Sequence, residues 1–282
     1  MDTETPEQRP RTQTLVFVDD DPFLREGISE VLTSKGFAVH GATDGLEGLQ
    51  LIRTLRPAYI ILDIILPKID GGQVCWLLRQ DPQLRHTPII AFSGLAPQDL
   101  RHFPKLSADA YVAKGPLSLI TTNLLRALQY VAERDRGDLP GGIFGYEGFH
   151  PRRLVSEMVV QIRRYAALIR LLGVGVLELD AAGRMLMASA AAARLLGKRE
   201  AQLITQPFAA LFPARTRRVI EDLLDEVQRS RTEATVRVTV ALGANVLALG
   251  FAGGTDAGEL TGILVTIKPA PAARQAEATR AD

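Results

Sequence analysis

Apolar and polar residues follow two different patterns along the chain, one in each half. From residue 15 to about residue 133, short β-rich runs alternate with stretches of helical period. The runs 15–18, 38–40, 59–62, 89–92 and 110–113 read as strands. Three of them are nearly continuous in apolar residues, the pattern of strands covered on both faces. Between them, Leu24, Ile28, Val31 and Leu32 recur at helical spacing, as do Leu46, Leu49 and Ile52. Strand–helix alternation repeated five times predicts an α/β unit over residues 14–134, a doubly wound five-stranded parallel sheet.

A break follows. Gly137, Pro140, Gly141, Gly142, Gly145 and Gly148 crowd one short stretch, which predicts a flexible linker over 135–150. Beyond Pro151, the residues Val155, Met158, Ile162, Tyr165, Ile169 and Leu172 repeat at alternating spacings of three and four. That a/d seam predicts a linker helix over 151–172, packed on its own domain or paired with a second copy. From 173 to 268 the pattern changes again. Strands at 174–179 and 185–188 flank the turn Asp180-Ala181-Ala182-Gly183, helical patterns fill 190–229, and β-rich runs return at 234–242, 246–251 and 260–267. Strands at both ends with helices between them predict an α+β domain on an antiparallel sheet. Residues 1–13 and 269–282 are rich in Pro, Ala and charge and read as disordered tails.

Composition narrows the classes of function. The net charge is +1, from 33 Lys/Arg against 32 Asp/Glu, so no global field favours nucleic acid or a membrane surface. Arg152, Arg153, Arg163, Arg164 and Arg170 on the linker helix read as a solvated face, and no nucleic-acid partner is expected. Cys75 is the single cysteine, which excludes an intrachain disulfide. No apolar run approaches the ~18–20 residues of a membrane span. Residues 1–14 lack the apolar core of a signal peptide, so the expected compartment is the cytoplasm.

Candidate chemistry gathers where the first sheet should end. Ligands of open parallel sheets bind outside the carboxyl ends of the strands. Asp19 and Asp20 follow the first predicted strand, Asp63 ends the third, Ser93 follows the fourth and Lys114 ends the fifth. Taken singly, each has a bland reading. Asp21-Pro22 is a helix N-cap with proline at the first helical position. Lys114 alone is an ordinary surface residue. Together they fit phosphoryl transfer. Crowded carboxylates recruit a hard cation such as Mg²⁺. An ionised Asp63 can attack phosphorus, while Lys114 and Ser93 contact phosphoryl oxygens.

These residues carry a family resemblance. Val18-Asp19-Asp20-Asp21, Asp63-Ile64-Ile65-Leu66-Pro67 continuing to Gly71, Ser93-Gly94 and Tyr111-Val112-Ala113-Lys114 resemble the receiver domain of two-component response regulators, over about residues 14–133. The resemblance implies a flavodoxin-like fold with Asp63 as phosphoacceptor. It also implies Mg²⁺ held by Asp20 and Asp63, with help from Asp19 and the Ile65 backbone carbonyl, and Ser93 and Tyr111 as a switch pair. The phosphodonor would be a histidine kinase or phosphotransfer protein. Three departures stand out. Gly115 separates Lys114 from Pro116, where the family places proline directly after the lysine. Ile65 and Leu95 are apolar at positions that would orient an attacking water, which predicts a long-lived phosphoryl group. Pro104 interrupts the fourth helical segment, which weighs against a dimer face there.

The run from Gly175 through Ser189, together with Asp256-Ala257-Gly258-Glu259-Leu260-Thr261-Gly262-Ile263, resembles a PAS domain over about residues 165–268. Such domains hold haem, flavin or metabolites, or hold nothing and dimerise. His40, His86, His102 and His150 all precede this segment, which argues against histidine-ligated haem. Met185 and Met187 read as core residues. Cys75 lies in the other domain, so a photoactive flavin adduct is not expected. The PAS ligand is unassigned, and an empty core is the expectation. The combined reading is a non-enzymatic response regulator that acquires its phosphoryl group by Mg²⁺-dependent self-phosphorylation and loses it slowly. Its PAS domain would serve for sensing, partner binding or homodimerisation. The alternative is a PAS-based small-molecule sensor tuned by the receiver.

Overall fold

Buried strands and capped helices alternate through the first half of the chain as their apolar periods require. The structure is a computed structural model that describes residues 13–95, 105–133, 142–146, 161, 164–165, 167–230, 235–243, 245–256 and 259–270. It divides into two units, Met1–Val159 and Val160–Asp282.

In the first unit, β1 (Gln13–Val18), β2 (Phe37–Ala42), β3 (Tyr59–Asp63), β4 (Ile89–Ser93), β5 (Ala110–Ala113) and β6 (Gly142–Phe144) form one parallel sheet in the order β2-β1-β3-β4-β5-β6. β3 and β4 are buried at every residue, because sheet faces on both sides are covered. The helices described are α1 (Pro22–Ser34), α2 (Gly45–Leu55), α3 (Gly71–Gln80) and α4 (Leu117–Glu133). Aspartates open three of them. Asp21 accepts from the Phe23 and Leu24 N–H groups, Asp44 from Leu46 and Glu47, and Asp70 from Gln73. Leu15, Phe17, Ile61, Phe92 and Val112 point to one face and pack with Ile28 and Leu32 of α1 and Ile120 and Leu124 of α4.

The sheet has six strands where five were expected. β6 falls inside the span read as a flexible linker, and its glycines explain the difference. A Cβ on Gly142 would lie 2.7 Å from the Phe144 ring and 2.9 Å from the Tyr130 ring. That glycine permits close packing, whereas a local reading takes it for a chain breaker. Pro104, with its segment, lies outside the described residues, as do Val155, Met158 and Ile162 of the linker seam and most of both tails.

The second unit begins with a helical stretch whose Tyr165, Leu168, Leu171 and Leu172 side chains are exposed. β7 (Gly175–Leu179), β8 (Met185–Ala188), β9 (Thr235–Leu242), β10 (Asn245–Asp256) and β11 (Glu259–Pro269) follow as an antiparallel sheet ordered β8-β7-β11-β10-β9. Between β8 and β9 lie α5 (Ala190–Leu195), α6 (Glu200–Leu203), a 3-10 turn (Phe208–Leu211) and α7 (Ala214–Ser230). The β7–β8 turn is tied by the Asp180 carboxylate, which accepts from the Ala182 and Arg184 N–H groups and from the Arg184 guanidinium. Gly183 supplies the positive φ of 74°. Ser189 caps α5 through the Ala192 N–H and also accepts from the Val176 N–H, fixing the helix to β7. The interior is filled by Phe208, Phe212 and Phe251 in edge-on contacts, with Met185 fully buried among the core residues.

One contact links fold to site. A Cβ on Gly71 would lie 1.9 Å from the Asp63 carbonyl oxygen, so α3 starts hard against the end of β3. Gly71→Ala should destabilise the protein by about 1–3 kcal/mol. A urea midpoint equal to wild type would show that this close approach is dispensable.

Candidate functional site

Strand register brings the distant polar residues to one rim. Val18 pairs with Leu62, Asp63 with Phe92, and Ser93 with Ala113. The strands are parallel, so Asp19, Asp63, Ser93 and Lys114 all emerge at the same carboxyl edge.

The side chains of Asp19, Asp63 and Lys114 converge there. The Lys114 ammonium lies 2.6 Å from Asp63 Oδ2 and 2.9 Å from Asp19 Oδ2, above the Phe92 ring at 5.1 Å. Asp63 Oδ1 accepts from the Ile65 N–H at 3.1 Å, and Asp19 Oδ1 from the Asp21 N–H at 3.0 Å. Asp19 is fully buried, Asp63 nearly so, and Asp20 is exposed. Burial drives the Asp63 pKa up to about 6, against the pull of Lys114 and with added repulsion from Asp19. Burial likewise raises Asp19, again opposed by Lys114. Burial pulls the Lys114 ammonium down, but the Asp63 and Asp19 carboxylates more than reverse that, so its pKa stands above the ordinary lysine value.

One oxygen from each of Asp19, Asp20 and Asp63 lies within 4.8 Å of the others. Three carboxylates against one ammonium leave two negative charges. An all-oxygen donor set of that charge fits a hard divalent cation such as Mg²⁺. Burial is the main cause of the raised Asp63 pKa, and repulsion from Asp19 adds to it.

The other predicted residues are less direct. Ser93 is buried, and its hydroxyl accepts from the Leu95 N–H at 3.0 Å, while its carbonyl accepts from the Lys114 N–H. Tyr111 is half-buried against the cluster of Ile64, Ala91 and Leu95, and burial pushes its phenol pKa up. At Ile65 the contact with Asp63 is through the N–H. Leu95 is completely buried, so of the two apolar positions only Ile65 retains exposure. Gly115 has open space around it, and the Pro116 carbonyl accepts from Leu119 and Ile120 to start α4.

Two features escaped the sequence reading. Arg25 donates to the Asp19 carbonyl at 2.8 Å, pinning the acidic loop from one turn inside α1. Its position four residues after the Asp21 cap was the available signal. Lys68, at a positive φ of 65°, pairs with the Asp44 cap carboxylate and helps to lower its pKa, although burial alone would raise it. In the second unit, a cavity of about 320 Å³ lies between the Asp180 turn and α7, lined in part by Glu221, Leu224 and Asp225.

Comparisons with known proteins find similarity in each half of the chain. The family described as response regulator receiver domain matches residues 15–122, and the PAS fold matches residues 163–269. The DNA-binding dual master transcriptional regulator RpaA of Synechocystis sp. is 36% identical over 101 residues, covering 36% of this chain and 42% of that protein. The transcriptional regulatory protein AfsQ1 of Streptomyces coelicolor is 34% identical over 126 residues, covering 44% and 55%. The chain thus spans about half the length of these relatives. The polar-differentiation response regulator DivK of Brucella anthropi is 31% identical over 108 residues, covering 38% of this chain and 87% of that protein. Among solved structures, the chemotaxis response regulator CheY4 of Vibrio cholerae is 26% identical, with 43% and 98% coverage and a TM-score of 0.39. No helix among the described residues is long and apolar enough to cross a membrane.

The electrostatics predict a pH-dependent stability. The folded Asp63 pKa of about 6 exceeds the ordinary 3.8, so above pH 6 the folded protein carries an ionised group that the unfolded chain solvates better. Asp63→Asn should therefore stabilise the metal-free protein at pH 7.5, by at most about 3 kcal/mol. That gain should shrink as pH falls through 6 and vanish below 4, where both states are protonated. Urea melts at pH 7.5 and 4.5 test it, and a gain that grows at low pH would contradict the charge assignment.

Proposed function

We propose a function that proceeds from family membership: the chain belongs to the response regulators of two-component signalling, with a receiver domain followed by a PAS domain. Asp63 is the phosphoacceptor. The observation that carries this reading is the Lys114 ammonium bridging Asp63 and Asp19 at the strand ends.

At neutral pH the Asp63 carboxylate is ionised and needs no general base. One of its oxygens attacks phosphorus as the bond from phosphorus to the donor's imidazole nitrogen breaks, and the electron pair stays on that nitrogen. Lys114 exchanges its carboxylate partners for a phosphoryl oxygen, so its positive charge follows the transferred charge. The Ser93 hydroxyl turns from the Leu95 N–H and donates to a second phosphoryl oxygen. Asp19, Asp20, Asp63 and the Ile65 carbonyl are the groups suited to hold Mg²⁺, which when bound would neutralise charge on the phosphoryl oxygens. Ile65 offers an attacking water no polar side chain and Leu95 is buried away, so the acyl phosphate hydrolyses slowly. Tyr111 completes the switch.

The role is signalling, with no turnover of a separate substrate. The partner that supplies the phosphoryl group is a histidine kinase or phosphotransfer protein. Buried Phe208, Phe212 and Phe251 fill the PAS interior, which favours association over small-molecule sensing. Exposed Tyr165, Leu168 and Leu172 offer a second copy an apolar helix face. Two relatives are named as transcriptional regulators, so nucleic acid is also a partner to test.

Incubation with a small phosphodonor and Mg²⁺ should label the protein in an acid-stable, base-labile linkage. Asp63→Ala or chelation of the metal should abolish labelling, and Lys114→Ala should slow it on the order of 10²-fold. Equal labelling of wild type and Asp63→Ala would defeat the assignment.

A further inference from the structure

The first sheet does not end at β5. β6 continues it in parallel register, with Gly142 opposite Ala110, Ile143 opposite Tyr111 and Phe144 opposite Val112. Registered residues share a face and successive ones alternate. Phe144 therefore faces the main core, where it meets Tyr130 edge-on at 5.6 Å and lies 5.7 Å from the Arg126 guanidinium. Ile143 shares the other face with Tyr111 and is exposed. Two glycines shape the seat. Gly142 leaves room for the Phe144 and Tyr130 rings, and Gly145, at φ 76°, lies where a Cβ would meet the Asn123 amide at 2.5 Å. A three-residue edge strand forms few ladder bonds, which places its attachment among the least stable parts of a fold.

Tyr111 joins this strand to the acidic rim. Ala91 is opposite Tyr111 and Ser93 is opposite Ala113, so Ser93 and Tyr111 are diagonal neighbours on one face of β4 and β5. The Tyr111 ring rests on Ala91 and Leu95, the residue whose N–H holds the Ser93 hydroxyl. Tyr146, just beyond β6, is half-buried within electrostatic reach of the Tyr111 phenol.

We propose that residues 142–146 form a strap whose seating on the β5 edge is coupled, through Tyr111, to phosphorylation of Asp63. The inference rests on the phosphoacceptor reading above. A phosphoryl oxygen draws the Ser93 hydroxyl toward the rim and away from the Leu95 N–H. The space released beside Ala91 lets Tyr111 settle deeper, and Ile143 and Tyr146 follow it. Coupling of this kind is reciprocal: a seated strap favours the phosphorylated state by the factor by which phosphorylation favours seating. The strap stands in sequence between the receiver and the PAS domain. Its seating therefore sets how much chain after α4 is free to connect them.

Amide hydrogen exchange on the full chain, with and without Mg²⁺ and beryllofluoride, tests the coupling, with occupancy of Asp63 followed by fluorine NMR. Exchange at residues 143–146 should slow about fivefold or more, the low end of usual coupling factors, and should not change in Asp63→Ala. Gly145→Val should unseat the strap and weaken beryllofluoride binding by a comparable factor. Phe144→Ala, which opens the anchor without backbone strain, should do the same. Unchanged exchange at 143–146 with beryllofluoride bound to Asp63 overturns the strap and leaves the phosphoacceptor reading standing. Failure of beryllofluoride to bind removes both.

Discussion

An ammonium between two buried carboxylates holds the functional rim of this protein together. Asp19 and Asp63 are brought to the same edge by parallel strands and deprived of water by the packing around them. Left to themselves they would repel, and burial raises the pKa of both. Lys114 lies within 3 Å of both and offsets much of that cost, yet Asp63 still titrates near pH 6. The remaining imbalance is the chemical opportunity. A rim that has folded with excess negative charge suits a divalent cation, and the proposed phosphoryl chemistry is built on that.

The surrounding fold exists to keep that arrangement from relaxing. α3 begins against the Asp63 carbonyl, where even a methyl group would collide. Arg25 reaches from α1 to the Asp19 carbonyl, and the Ser93 carbonyl receives the Lys114 N–H. Each contact fixes backbone at a strand end, so the side chains have little freedom to spread apart. A backbone held in this way confines any rearrangement at the rim to side chains.

Much of this could be read from the sequence, and the parts that could not share a physical cause. The strands of the first unit announced themselves because β3 and β4 are buried on both faces, which leaves them almost purely apolar. Asp21-Pro22 foretold the start of α1. The rim residues were legible because parallel topology sends every strand's carboxyl end the same way. β6 was not legible. A strand of three residues has no period, and the glycine that lets Phe144 meet Tyr130 looks locally like a breaker. Leu95 is completely buried, a placement that its position just beyond the end of β4 did not announce. The Arg25 contact to Asp19 is made to backbone, so only the place of Arg25 after the Asp21 cap hinted at it.

A crystal structure of the full chain with Mg²⁺ and beryllofluoride would test the central claim most directly. The account predicts beryllium on an Asp63 carboxylate oxygen, the cation among Asp19, Asp20 and Asp63, and the Lys114 ammonium moved onto a fluorine. Lys114 still bridging Asp19 and Asp63, with the fluoride bound elsewhere, would contradict it.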